Sequence, residues 1–318
     1  MSFLKSCHFR LCVFLSLVTL SLFTVSAFAE KKPAYLLTAE KYYQQNNYKQ
    51  SIKVIHQAKQ KKSITLEGLV LASLCHIQLD DNKSAIQSIQ ETLAIDPKNE
   101  KSYLLWGMIY DNMQNYQQAR LIYENGLQHI KTSVPILHEL GMTLLSLNEV
   151  QQSLAHLEKA LKINPDNIEL ATDYSYALLQ NNNSEKAELL LAGVLKKQPK
   201  HKEAWYLIAK TYIHQKKFAS AIVSMKNSLR FGYRNHQVYH DLALLYAQYH
   251  QNTLAIQTLN EEKELLGENA QSEFTLAKLY LQEKEFDTAL KLFEKISKKD
   301  KSNEIITWIQ KTKSMMHK

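Results

Sequence analysis

Histidine, carboxylate and cysteine spacings are where this 318-residue chain would carry chemistry. His138-Glu139 opens the His-Glu-x-x-His pattern, in which two imidazoles one helical turn apart hold zinc and the glutamate acts as base. Met142 stands where the second histidine is required, so the pattern is broken. His236 and His240 are spaced i, i+4 on one helix face, with Asp241 beside them, which is metal-ligand spacing. No third ligand is identifiable among the 12 His and the carboxylates, so a solvated or groove-lining pair is expected and no metal or other cofactor is assigned. There is no G-x-S-x-G, no P-loop and no C-x-x-C. Only 7 Gly are present, too few for a phosphate-cradling loop to stand out. Of the 3 Cys, Cys7 and Cys12 lie near the N-terminus and Cys75 is left without a partner, as a packing thiol. Asn82-Lys83-Ser84 and Asn182-Asn183-Ser184 match glycosylation sequons and read as turn residues. The chain is expected not to be an enzyme.

The first 29 residues have a different task. They carry Lys5 and Arg10, no acidic residue, and an apolar run from Leu11 to Phe28. Ala27-Phe28-Ala29 then forms a small-residue cleavage site before Glu30. That order is the signature of a secretory signal. The run is nearly long enough to cross a bilayer, so an uncleaved anchor is the alternative, and it would be the chain's one route to a membrane. Either way the remainder is exported, with the periplasm expected first and secretion second. Loss of Lys5 and Arg10 takes the formal charge from +8 to +6. The remaining cations are mostly Lys spread along the chain rather than clustered Arg, which argues against nucleic acid as a partner.

The elements that position these residues repeat. Rows of 34 residues starting at Lys32 run without insertion: 32–65, 66–99, 100–133, 134–167, 168–201, 202–235, 236–269 and 270–303. Position 8 of each row reads Ala39, Ser73, Gly107, Gly141, Ser175, Ala209, Ala243, Ala277. Position 20 reads Ser51, Ala85, Ala119, Ser153, Ala187, Ala221, Ala255, Ala289. Small residues in both columns imply two helices in close approach. Position 24 is bulky throughout, from Ile55 and Tyr123 to Phe293. Pro33 and Pro135 stand at row position 2, where a helix begins, and Pro97, Pro165 and Pro199 stand between rows. Each row is therefore expected to hold a helix over about positions 2–14, a turn, and a helix over about 18–31. Ile305, Trp308 and Ile309 follow the last row on a segment (304–318) suited to capping an exposed apolar end.

Period and columns together resemble the tetratricopeptide repeat family. Glu203-Ala204-Trp205-Tyr206, Ala209, Tyr212, Phe218, Ala221 and Met225 match its pattern in one row, and Leu140-Gly141, Ala160 and Pro165 match it in another. The resemblance implies an all-α, right-handed α-solenoid of eight helix-turn-helix repeats with a C-terminal capping helix. Departures gather late: Glu262 and Ile296 at the usually small position 27, and Glu273 at position 4, which reads as looser packing there. The resemblance also implies that the first helices line a groove through positions 5, 9, 12 and 13. The candidate groove residues are Leu104, Met108, His138, Met142, Tyr176, Gln180, Tyr206, Lys210, His240, Gln248, Phe274 and Lys278. The Lys and Asn set of carboxylate-clamp members is absent, so a receptor for a free peptide C-terminus is not expected. The expected role is a protein- or peptide-binding scaffold of a bacterial-type cell envelope, serving a secretion, pilus, polysaccharide-export or wall-remodelling assembly. A secreted factor acting on another cell through the same groove is the alternative. Oligomeric state is left open.

Overall fold

The computed structural model describes residues 32–316; the leader and its cleavage site lie outside the described residues. Among the described residues there are seventeen helices and no strand. They come in pairs: α1 (Ala34–Gln44) and α2 (Tyr48–Gln60), α3 (Leu66–Gln78) and α4 (Asn82–Ile95), α5 (Glu100–Asn112) and α6 (Tyr116–His129), α7 (Val134–Ser146) and α8 (Val150–Ile163). Next are α9 (Ile168–Gln180) and α10 (Ser184–Lys197), α11 (Lys202–His214) and α12 (Phe218–Arg230), α13 (His236–Gln248) and α14 (Asn252–Leu266), α15 (Ala270–Gln282) and α16 (Phe286–Ser297). The last, α17 (Asn303–Met316), stands alone. The architecture is an all-α solenoid. None of the described helices is long and apolar enough to cross a membrane. Contacts divide the chain into two compact units, one ending at Ala177 and the other starting at Leu178.

The turn inside each pair is the same device. Asn46, Asp80, Gln114, Asn148, Asn182, Lys216, His250 and Lys284, each 34 residues from the next, have φ between 55° and 63°. Their N–H groups donate back to the helix just ended, as in Asn46 to Tyr43 O at 2.9 Å. The next N–H reaches one residue further, as in Asn47 to Tyr42 O (2.8 Å) and Asn183 to Leu178 O (2.8 Å). This is a Schellman closure, which satisfies the last carbonyls of the first helix. That same next residue then starts the second helix. The side chains of Asn47, Asp81, Asn115 and Asn183 each accept the backbone N–H three residues on. Asn and Asp suit both tasks, since they tolerate the left-handed conformation and cap well.

Close approach is as tight as the small columns require. The Ala residues at positions 8 and 20 are fully buried, including Ala39, Ala119, Ala187, Ala221 and Ala289. In two repeats a glycine at position 8 makes room for the residue at position 24. A Cβ on Gly107 would lie 2.2 Å from the Tyr123 ring, and one on Gly141 would lie 2.6 Å from Leu157. Tyr123 is fully buried, and its hydroxyl donates to Asp111 Oδ2 at 3.0 Å. Thr143 Oγ1 of the following repeat lies 3.0 and 3.1 Å from the two oxygens of Asp111, so one carboxylate ties two repeats together.

The C-terminal unit ends in an aromatic cluster. Trp308 of α17 stacks on Phe293 at 5.9 Å and meets Phe274 edge-on at 6.3 Å, and Ile305 is buried. The capping helix therefore covers the apolar end of the last repeat. The late departures from the small column are not loose. Ile296 is buried in the core. Glu262 is fully buried, and its Oε1 is held by His236 Nδ1 (2.6 Å) and by Ser272 Oγ, which donates at 2.8 Å. Its Oε2 is buried without a hydrogen-bond partner. Glu273 is paired with Lys295. Polar pairing at Glu262 and Glu273, and apolar burial at Ile296, fill these places where the sequence pattern suggested slack.

Two stability outcomes follow. Gly107→Ala is expected to destabilise the protein by about 1–3 kcal/mol, because the added methyl overlaps a ring that cannot move aside. In chemical denaturation, a double-mutant cycle with Tyr123→Leu should show coupling above about 0.5 kcal/mol; additive effects would show that the two residues do not share the same space. Gln114→Asn puts a residue at ease in the left-handed turn and is expected to stabilise by up to about 1 kcal/mol. A drop in thermal midpoint on that change would contradict the turn analysis.

Candidate functional site

Each first helix has a buried side and a side that its own pair leaves open. Within each unit, successive first helices also touch one another, as α1 with α3, α3 with α5, α5 with α7 and α13 with α15. Their faces thus adjoin, and a set of side-chain bonds runs from one repeat to the next, from row position 5 to position 6.

In the N-terminal unit, His138 Nε2 hydrogen-bonds Asp173 Oδ2 at 2.8 Å. Asp173 is only 5% exposed. Leu104, Met108 and Met142 are buried, at 2%, 6% and 6%. These three candidates pack within the protein and offer little surface to a partner. Tyr176 is half-buried.

In the C-terminal unit, Asp241 gathers three donors. The Tyr206 hydroxyl and Lys210 Nζ both donate to Oδ2 at 3.1 Å, and Gln237 Nε2 donates to Oδ1 at 2.7 Å. Tyr206 and His240 are buried, at 7% and 6%. His240 Nε2 bonds Thr275 Oγ1 at 3.0 Å. Burial holds the His240 imidazole below its ordinary pKa, against the opposing pull of Asp241 and Glu262, so it is neutral near pH 7. His236 is engaged with Glu262 and His240 with Thr275; among the described residues no three His, Cys, Asp or Glu side chains converge as a metal site. Gln180, Gln248 and Lys278 are exposed, and Phe274 is half-buried. Lys278 Nζ lies over the Phe274 ring at 5.4 Å and the Trp308 ring at 5.5 Å. Leu244, 45% exposed, occupies the same repeat position as Lys210 and Lys278.

Sequence patterning marks Asp241 only as a neighbour of the His236/His240 pair and does not mark Asp173 or Thr275. Their signal is position 6, where the first three rows carry Leu37, Leu71 and Leu105 and four of the later five are polar (Glu139, Asp173, Asp241 and Thr275), with Leu207 the exception. The face so formed is polar and prearranged in the C-terminal unit. It has ordered donors and acceptors at its base and one exposed aliphatic side chain among amides and lysines. It holds no nucleophile–base pair; what it offers chemically is hydrogen bonding, charge and a small apolar contact.

Comparison with known proteins bears on the fold. Residues 138–237 match the family model described as the Cytochrome c-type biogenesis protein H TPR domain. A BBSome complex member BBS4 homolog of Drosophila melanogaster is 26% identical over 172 residues, 54% of this chain; the match spans only 35% of that protein's length. Among solved structures, a tetratricopeptide repeat protein from Parabacteroides merdae superposes with a TM-score of 0.61 at 20% identity, over 78% of this chain and 98% of the other. The pilF structure of Pseudomonas aeruginosa superposes with a TM-score of 0.58 at 19% identity, over 68% of this chain and 96% of the other. The 34-residue spacing of the turns, the small columns and these superpositions agree that the chain is a solenoid of the tetratricopeptide-repeat fold.

Proposed function

We propose that the chain is a non-enzymatic scaffold of a bacterial-type cell envelope that binds a segment of a partner protein on its first-helix face. The observation that carries the binding role is the surface around Asp241. Tyr206, Lys210 and Gln237 are already locked onto that carboxylate, so little side-chain freedom is lost when a partner arrives. Leu244 and Gln248 on the same helix as Asp241, and Lys278 of the next repeat, remain exposed. Amides such as Gln248 bond a partner's backbone without demanding a particular sequence, and Leu244 supplies the apolar contact. The envelope placement rests on the leader with its Ala27-Phe28-Ala29 site. The Drosophila relative is named as a member of a complex, which is in keeping with a scaffold role and does not identify the partner.

A photo-crosslinking side chain at position 244, used in living cells, is expected to capture a partner whose crosslinked peptide is mapped by mass spectrometry. Binding of that peptide to the purified chain should weaken about tenfold or more on Leu244→Asp, with helix content unchanged. Lys278→Ala should cost less, and less still at high salt, because it is an exposed charge. Binding indifferent to Leu244→Asp would remove the first-helix face as the site. Mass analysis of the exported chain should give Glu30 as its first residue; a retained Met1 in the membrane fraction would make the leader an anchor, and release into the medium would favour a factor acting on another cell.

A further inference from the structure

The second helices of the C-terminal unit carry a surface that the first-helix face does not explain. On α10 the outward face holds Leu189, Gly193 and Lys196, and Leu189 is 75% exposed. On α12, one repeat later, Val223 occupies the same repeat position and is 59% exposed. Gly193 is interior to α10, where glycine costs about 1 kcal/mol against alanine. Nothing within the protein asks for it, since a Cβ there would meet no atom within 4 Å. A backbone left bare on an exposed helix permits close approach from outside.

The following second helix, α14, is the chemical complement. Its outward face presents Glu261 and Glu264 with Leu254 and Leu265, which are 41% and 50% exposed. Glu264 stands at the repeat position that is Lys196 on α10. Glu261 accepts one bond, from the Tyr239 hydroxyl at 3.2 Å, and is otherwise turned to solvent. Successive ridges thus read basic with an exposed Leu, then Val223, then acidic with exposed Leu.

We propose that a second copy of this chain docks here. A two-fold axis running along α12 sets α10 of one copy against α14 of the other with both helices pointing the same way. Lys196 then meets Glu264 of the second copy, Leu189 meets its Leu254, the bare backbone at Gly193 lets the two helices come close, and Val223 meets its own counterpart on the axis. The same operation brings the second copy's α10 onto this chain's α14, so the contact closes as a dimer and does not propagate as a filament. The two Arg230 side chains oppose each other near the axis, which keeps the association weak and reversible.

The test is sedimentation equilibrium of the purified chain at about 0.1 mM and low salt, near 50 mM, where charge pairing is least screened. A dimer is expected. Lys196→Glu and Glu264→Lys should each weaken it by about tenfold or more, because each sets like charges against each other twice per dimer. An equimolar mixture of the two variants should dimerise again as a heterodimer, since both contacts then regain opposite charges. Leu189→Asp should abolish it. All these residues are exposed, so circular dichroism should show unchanged helix content. A monomer under these conditions, including one whose Lys196→Glu change alters only binding to anionic vesicles, would overturn the proposal. So would a dimer that ignores both reversals. Neither result bears on the first-helix face, which is tested by its own partner peptide.

Discussion

Everything in this molecule depends on two helices touching at residues too small to hold them apart. Fully buried Ala or Ser at position 20 and Ala, Ser or Gly at position 8 bring each pair together. A helix pair so formed buries one side and leaves another apolar flank for the next pair, and that is what makes a row rather than a ball. The constraint is one of volume: Gly107 exists because Tyr123 is large, and Tyr123 is tolerated because its hydroxyl finds Asp111. Glu262 enters the contact with His236 and Ser272 bonded to one of its oxygens.

Architecture was legible because it is periodic. A column such as Ala85, Ala119, Ala187 and Ala221 repeats the same physical demand at the same place, and repetition makes it visible without any structure. The pairing of Gly107 with Tyr123 was not visible, because neither residue taken alone signals the other across sixteen positions. The turn device was also hidden. Asn46 and Asn182 are ordinary turn residues, but Gln114, Lys216 and His250 carry no local mark of the left-handed conformation they adopt.

The candidate site was harder to read for a different reason. Whether a first-helix residue faces a partner or a neighbour is decided by the next repeat. Leu104, Met108 and Met142 share columns with Tyr206 and Lys210, and the column alone does not tell a buried Met from an exposed Leu244. Asp241 needed three residues on two helices to show its role. Glu262 looked like a packing fault because sequence patterning weighs a carboxylate at a small position as a misfit, whereas burial with bonded partners makes it a joint between α13, α14 and α15.

One consequence of the uniform turn concerns how the chain reaches its folded state. The side-chain bonds that link repeats join residues no more than 35 apart, as in His138 to Asp173 and Tyr206 to Asp241. Such contacts are local, so the entropy of closing each loop is small and folding proceeds by addition of neighbours. A polypeptide delivered end first through a narrow opening meets no need to wait for its far terminus. Each hairpin of helices finds its seat on the one before it as soon as about one further repeat has emerged.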